Sequence, residues 1–157
     1  MLEINPFSKD IDVTYTLVFT YGSLMFENVF EGVTGERCPH QRATLKQWSR
    51  HALLNKTYPG AMTAEDPSAQ IDGILWLHVS DQALLKLDAF EGSPYAREWV
   101  TVLVENDAPQ KAWIYRWLDE SLICGEWDVA RFTQQHQADF LSQHWPPPQA
   151  STPQHRE

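Results

Sequence analysis

Apolar and polar positions alternate from Val13 to Thr20, and the apolar ones are β-branched or aromatic. That period of two predicts a strand running into the Tyr21-Gly22 turn. Phe26 to Phe30 reads as a short helical turn, with Gly32 and Gly35 ending it. Residues 41–58 mix Ala, Leu, Trp48 and the pair Leu53-Leu54 with basic residues, a pattern that suits one or two strands. Pro59-Gly60 marks a turn, 64–70 is a polar surface loop, and Ile71 to Val79 is a strong strand interrupted by Gly73. Ser80 then reads as a helix N-cap, with Asp81 favourable at the positive end of the dipole. Ala83, Leu84, Leu85 and Leu87 supply the apolar side, and Gly92-Ser93-Pro94 stops the helix. Arg97 to Glu105 alternates again, with Trp99, Thr101 and Leu103 on one face and Val100, Val102 and Val104 on the other. Asn106 to Pro109 is a turn, and Gln110 to Leu118 returns as the second strand of a hairpin. Gly125 to Trp145 carries Val129, Phe132, His136 and Phe140 close to one helical face.

Five to seven strands and two or three helices without regular β-α-β alternation point to an α+β domain with a curved, mainly antiparallel or mixed sheet. The expected domain spans 13–145, between a loose leader at 1–12 and a polar, Pro-bearing, disordered tail at 146–157. Its 157 residues fit one domain with a self-sufficient core. A formal charge of −9, from 21 acidic and 12 basic side chains with no basic run, argues against nucleic-acid and anionic-membrane partners. No stretch has the length of a transmembrane helix, and the N-terminus lacks a signal-peptide pattern. Cys38 and Cys124 are expected to be reduced thiols in a cytoplasmic protein. Oligomeric state is not written in the sequence.

Two motifs carry the candidate chemistry. Tyr21-Gly22-Ser23-Leu24, at a strand end, exposes backbone N–H groups that can bind a carboxylate or oxyanion, and Ser23 adds a hydroxyl. Glu91, closing the helix Leu87-Asp88-Ala89-Phe90-Glu91, sits where burial and the dipole's negative end push a carboxyl pKa upward, toward a useful general base. The bland alternatives are a turn needing Gly for geometry and a solvated helix-end glutamate. Arg97 could pair with a substrate carboxylate or brace Asp88 or Glu91, and bracing is the favoured reading. Tyr95 stands close by. The six histidines have no ligand spacing, Ser23 lies outside a G-x-S-x-G elbow, and Cys38 has no thiol-protease constellation, so no metal site and no hydrolase triad is expected. Trp113, Trp117, Trp127 and Trp145 read as core and docking residues.

These motifs occur in a series: Phe19-Thr20-Tyr21-Gly22-Ser23-Leu24, Tyr58-Pro59-Gly60, Asp72-Gly73-Ile74-Leu75-Trp76, Leu87 to Gly92, Tyr95-Ala96-Arg97 and Ala112-Trp113-Ile114-Tyr115. In this order, from about Val18 to Trp117, the chain resembles the γ-glutamylcyclotransferase-like family, including its avirulence-induced-gene and γ-glutamylamine branch. The resemblance implies a small β-barrel with flanking helices. It implies an enzyme that cyclises a γ-glutamyl-amine or γ-glutamyl-amino acid to 5-oxoproline and a free amine, without metal or organic cofactor. Glu91 would be its general acid/base, with Tyr21, Gly22, Ser23, Leu24, Tyr95, Arg97 and Tyr115 around the small-molecule substrate. The Tyr115 hydroxyl would point into the pocket, although a half-buried strand aromatic is an equal reading. The family often has Thr where this chain has Ser23, and both keep the hydroxyl. Fold does not fix activity, so a non-catalytic binding or regulatory module of the same fold is the alternative. A third reading is a surface-interaction protein using the helix from Gly125 and the Pro-rich tail.

Overall fold

The structure is a computed structural model and describes residues 15–131. Strand β1 (Tyr15–Thr20) leads through a single 3₁₀ turn at Ser23–Met25 into helix α1 (Glu27–Thr34). The chain continues through β2 (His40–Lys46), β3 (Trp48–Leu53), β4 (Pro59–Thr63) and β5 (Gln70–Ser80) to helix α2 (Asp81–Glu91). Next come β6 (Tyr95–Val104), β7 (Ala108–Trp117), the short β8 (Ile123–Glu126) and a helical turn opening at Val129. Five strands close a barrel in the order β1-β5-β2-β6-β7, sealed by a parallel contact of Val18 with Trp113. The other pairings in the barrel are antiparallel. A second sheet has the order β4-β3-β8. The α+β barrel with flanking helices is therefore the architecture present.

The barrel interior takes one set of alternating side chains: Phe19, Ala43, Leu45, Leu75, Val100, Val102, Ala112 and Ile114 are all buried. Trp99 and Thr101, on the opposite face of β6, are exposed. The outer apolar positions are covered by the helices. Val29, Phe30 and Val33 of α1 and Ala83 and Leu87 of α2 pack with Val18, Trp76 and Tyr115 into a second core. Spacings of three or four residues within each helix place these on one face. The Ser80 Oγ accepts the Ala83 N–H at 3.1 Å, as its N-cap reading requires, and Gly92 at φ 77° closes the helix.

Several local expectations are corrected. Helix α1 runs through Gly32 and stops at Gly35, whose left-handed φ of 75° suits glycine. Pro59-Gly60 opens strand β4 rather than a turn. Proline is compatible with a strand's first position, and a Cβ on Gly60 would lie 2.6 Å from Trp117 Cβ, so this glycine is there for close packing. Gly73 does not interrupt β5, which runs unbroken from Gln70 to Ser80; a Cβ there would lie 2.3 Å from the Thr20 carbonyl of the neighbouring strand β1. Among the described residues eight strands form where five to seven are expected, since β4 and β8, of five and four residues, are too short to give a period. Gly125 and Glu126 belong to β8, paired with β3, so the helix begins no earlier than Val129. Both cysteines are free, with Cys38 buried and Cys124 exposed. The leader, Val13-Thr14, the tail and the helix beyond Arg131 lie outside the described residues. No helix among the described residues is long and apolar enough to cross a membrane.

Candidate active site

The Tyr21–Leu24 turn is fastened at both ends by one side chain. Trp76 Nε1 donates to Thr20 Oγ1 at 3.0 Å and to the Leu24 carbonyl at 3.1 Å. Thr20 Oγ1 in turn donates to the Ile74 carbonyl at 3.0 Å. The indole of Trp76 is held by stacking on Phe30, 4.0 Å between centroids and 7° from parallel. Within the turn, Met25 N–H donates to the Gly22 carbonyl at 3.0 Å and Phe26 N–H to the Ser23 carbonyl at 3.2 Å. As at any helix start, the N–H groups of Ser23 and Leu24 find no acceptor inside the turn. Gly22 has no room for a side chain, because a Cβ would lie 2.7 Å from Pro59 Cδ. Arg50 Nη1 donates to the Tyr21 carbonyl at 2.9 Å. The Ser23 hydroxyl is buried and makes no hydrogen bond to a side chain or backbone group among the described residues.

Facing the turn is Glu91, the last residue of α2. Between them lies a cavity of about 120 Å³, walled by the Phe19–Leu24 segment, Tyr58, Pro59, Phe90, Tyr95 and Tyr115. Among the described residues the Glu91 carboxyl accepts no hydrogen bond and pairs with no cation. Burial, and secondarily the Asp88 carboxylate, push its pKa up to about 8. The direction, and burial as its largest cause, are those expected from sequence; the Asp88 carboxylate is the addition. Removal from water comes first and a like charge one turn back second, beside the helix dipole that the sequence also offers.

Three tyrosine hydroxyls around this carboxyl are committed to protein acceptors. Tyr21 Oη donates to the Tyr115 carbonyl at 2.6 Å, and Tyr95 Oη to the Pro59 carbonyl at 2.7 Å. Tyr115 Oη donates to Asp88 Oδ1 at 2.7 Å. Burial raises the pKa of all three well above the ordinary tyrosine value, so they remain protonated donors. Arg97 Nε meets the same Asp88 oxygen at 2.9 Å, and its guanidinium lies 4.4 Å from the Trp113 ring centroid. Arg97 is absent from the cavity wall and braces Asp88. The structure therefore brings together Tyr21, Gly22, Ser23, Leu24, Glu91, Tyr95 and Tyr115, and places Arg97 behind them.

Tyr58, Pro59 and Phe90 line the cavity without having been singled out as site residues, although the Tyr58-Pro59-Gly60 string marked the segment. Trp76 and Asp88 act one layer further out. Asp88 is readable as a residue for Arg97 to brace, whereas Trp76 shows only through its place in a motif, because its partners Thr20 and Leu24 lie far along the chain.

A profile of the family described as "Gamma-glutamyl cyclotransferase, AIG2-like" matches residues 18–145. The AIG2-like protein D of Arabidopsis thaliana is 30% identical over 133 residues, covering 82% of this chain and 86% of that relative. An Arabidopsis thaliana protein of known solution structure superposes with a TM-score of 0.67 at 27% identity, covering 87% of this chain and 83% of its own. A solved structure named "Gamma-glutamyl cyclotransferase" gives a TM-score of 0.60 at 17% identity over 68% of each chain, a likeness of fold.

Proposed function

This chain belongs to the γ-glutamyl cyclotransferase, AIG2-like family, and on that premise we propose that it cyclises a γ-glutamyl-amine or γ-glutamyl-amino acid, with Glu91 as general acid/base. The observation that carries this reading is the Glu91 carboxyl itself. It is held near a neutral pKa, has no protein partner among the described residues, and faces the Tyr21–Leu24 turn across a small cavity.

The chemistry follows from that geometry. The substrate's α-carboxylate or γ-carbonyl oxygen takes the free N–H groups at the start of the turn, where Gly22 leaves the backbone accessible. The substrate's α-amine attacks its own γ-carbonyl carbon, and a five-membered lactam forms. Ionised Glu91 accepts the proton this nitrogen must lose. The protonated carboxyl then delivers it to the departing nitrogen as the carbon–nitrogen bond breaks, leaving 5-oxoproline and a free amine. Such proton transfer contributes about 10²–10⁴-fold. Folding the flexible glutamyl chain into its ring-closing conformation against Tyr21, Tyr95 and Phe90 supplies a further share.

The test is release of 5-oxoproline from a panel of γ-glutamyl-amino acids and γ-glutamyl-amines, with Glu91→Gln measured beside the wild type. Product from the wild type and a loss of at least about a hundredfold in the variant support the reading. Equal turnover in both proteins would remove Glu91 from the mechanism. Binding without turnover across the panel would favour the non-catalytic module.

A further inference from the structure

Arg50, whose guanidinium holds the Tyr21 carbonyl, also lines a second cleft of about 320 Å³, within the size range of small-molecule sites. Its lining includes Trp48, Arg50, His51 and Gln70 together with Glu126 and Trp127. Its charges are arranged unusually. Arg50 is half-buried, yet only its Nη1 is used, on the Tyr21 carbonyl at 2.9 Å and weakly on the Asp72 carbonyl at 3.4 Å. Its other N–H groups have no acceptor among the described residues. The Asp72 carboxylate bonds Thr44 and Gln70 instead. Glu126 lines the same cleft from the neighbouring strand β8 and makes no ion pair with Arg50. His51 and Ser49 satisfy each other at 2.7 Å. A desolvated cation and a carboxylate thus share one cleft without meeting. A ligand carrying both opposite charges would complete each of them.

We propose that this cleft is a second binding site, for a small zwitterion of the α-amino-acid type. Its carboxylate takes the unused N–H groups of Arg50, its ammonium faces Glu126, and an apolar side chain lies against the Trp127 indole. Arg50 already stacks on that indole, 5.5 Å from the centroid. Two of its lining residues also bond at or beside residues of the first cavity. Arg50 grips the Tyr21 carbonyl, and Trp127 Nε1 donates to the Thr57 carbonyl at 2.9 Å, next to the cavity-lining Tyr58. Occupancy is therefore felt at the Tyr21 turn and at Tyr58. The site stands independently of the cyclisation reaction proposed above.

The experiment is an NMR titration of the full chain with L-phenylalanine, with acetate and ethylammonium as single-charge controls. The expected result is saturable shifts at the Trp127 indole N–H and Arg50 Nε–H, accompanied by the Gly22 and Tyr58 amides. Each control should bind at least about tenfold more weakly. Glu126→Gln, an exposed substitution, should weaken phenylalanine by about tenfold and leave acetate unchanged. Arg50→Met should abolish both. Non-saturating shifts, acetate binding as tightly as phenylalanine, or indifference to Glu126→Gln would overturn the proposal. So would shifts confined to the Tyr21 turn, which would place the ligand in the first cavity.

Discussion

Tyr115 on β7 donates its hydroxyl to Asp88 on α2 at 2.7 Å, across the seam between the barrel and the helix that carries Glu91. Arg97 meets the same carboxylate oxygen from β6. One side chain therefore anchors the helix end to two barrel strands and places a negative charge one turn from Glu91. Tyr115→Phe and Asp88→Asn should each destabilise the fold by roughly 1–3 kcal/mol, as expected for a hydrogen bond to a charged group. The double variant should lose less than the sum, with a coupling of about 1 kcal/mol or more in a urea-unfolding cycle. Additive losses would mean that the pair is a bystander contact.

The raised Glu91 pKa sets the pH dependence of turnover. If the ionised carboxyl accepts the first proton, kcat/KM should rise about tenfold per pH unit on the acid side and level off above a pH of about 8. Asp88 contributes to that elevation, so Asp88→Asn should move the inflection to lower pH. A profile flat from pH 6 to 9 in both proteins would separate Glu91 from proton transfer.

The same shift bears on stability. Unfolded Glu91 titrates near 4.5 and folded Glu91 at about 8, so between these values the native state binds more protons than the unfolded state. Stability from this group is intact below pH 4.5 and is lost as pH rises through about 8. Glu91→Gln removes the loss. Its stability relative to wild type should improve by roughly 2–4 kcal/mol between pH 4 and pH 8.5, read from urea midpoints. A constant difference across that range would contradict a protonated, half-buried carboxyl.

Gly22 and Gly73 keep the turn in place by leaving room for other groups. Gly22→Val would drive its side chain into Pro59 and narrow the cavity from the wall opposite Glu91. Weakened ligand affinity with a largely retained fold is the expected result by calorimetry. Gly73→Ala would press on the Thr20 carbonyl, a backbone atom, and should cost about 1–3 kcal/mol of stability. Unchanged ligand affinity in Gly22→Val would show that the turn is not the binding element.

Trp76→Phe should separate positioning from chemistry. The ring still stacks on Phe30, while the N–H that joins Thr20 to Leu24 is lost. KM should rise several-fold with kcat less affected, because the turn loosens while Glu91 is undisturbed. A fall in kcat alone would argue against this role.

What the sequence determined was local. The Ser80 cap, the Gly92 stop, the β6–β7 hairpin and the alternation that buries Val100 and Val102 depend on neighbours within a few residues, and each formed as read. Glu91 was legible because a helix end is a local fact, and Tyr21-Gly22 because a strand end is one as well. The tertiary structure decided everything that depends on distant partners. Whether Gly60 turns the chain or sits in a strand rests on Trp117, and the closure of the barrel rests on Val18 meeting Trp113. Arg97 could brace or bind, and the choice fell to Asp88, which accepts from Tyr115 as well. The upward shift at Glu91 and burial as its cause are readable at a helix end, but the extent of that burial rests on a wall assembled from five separate segments. Burial is a sum over the whole fold, and no window of sequence contains that sum.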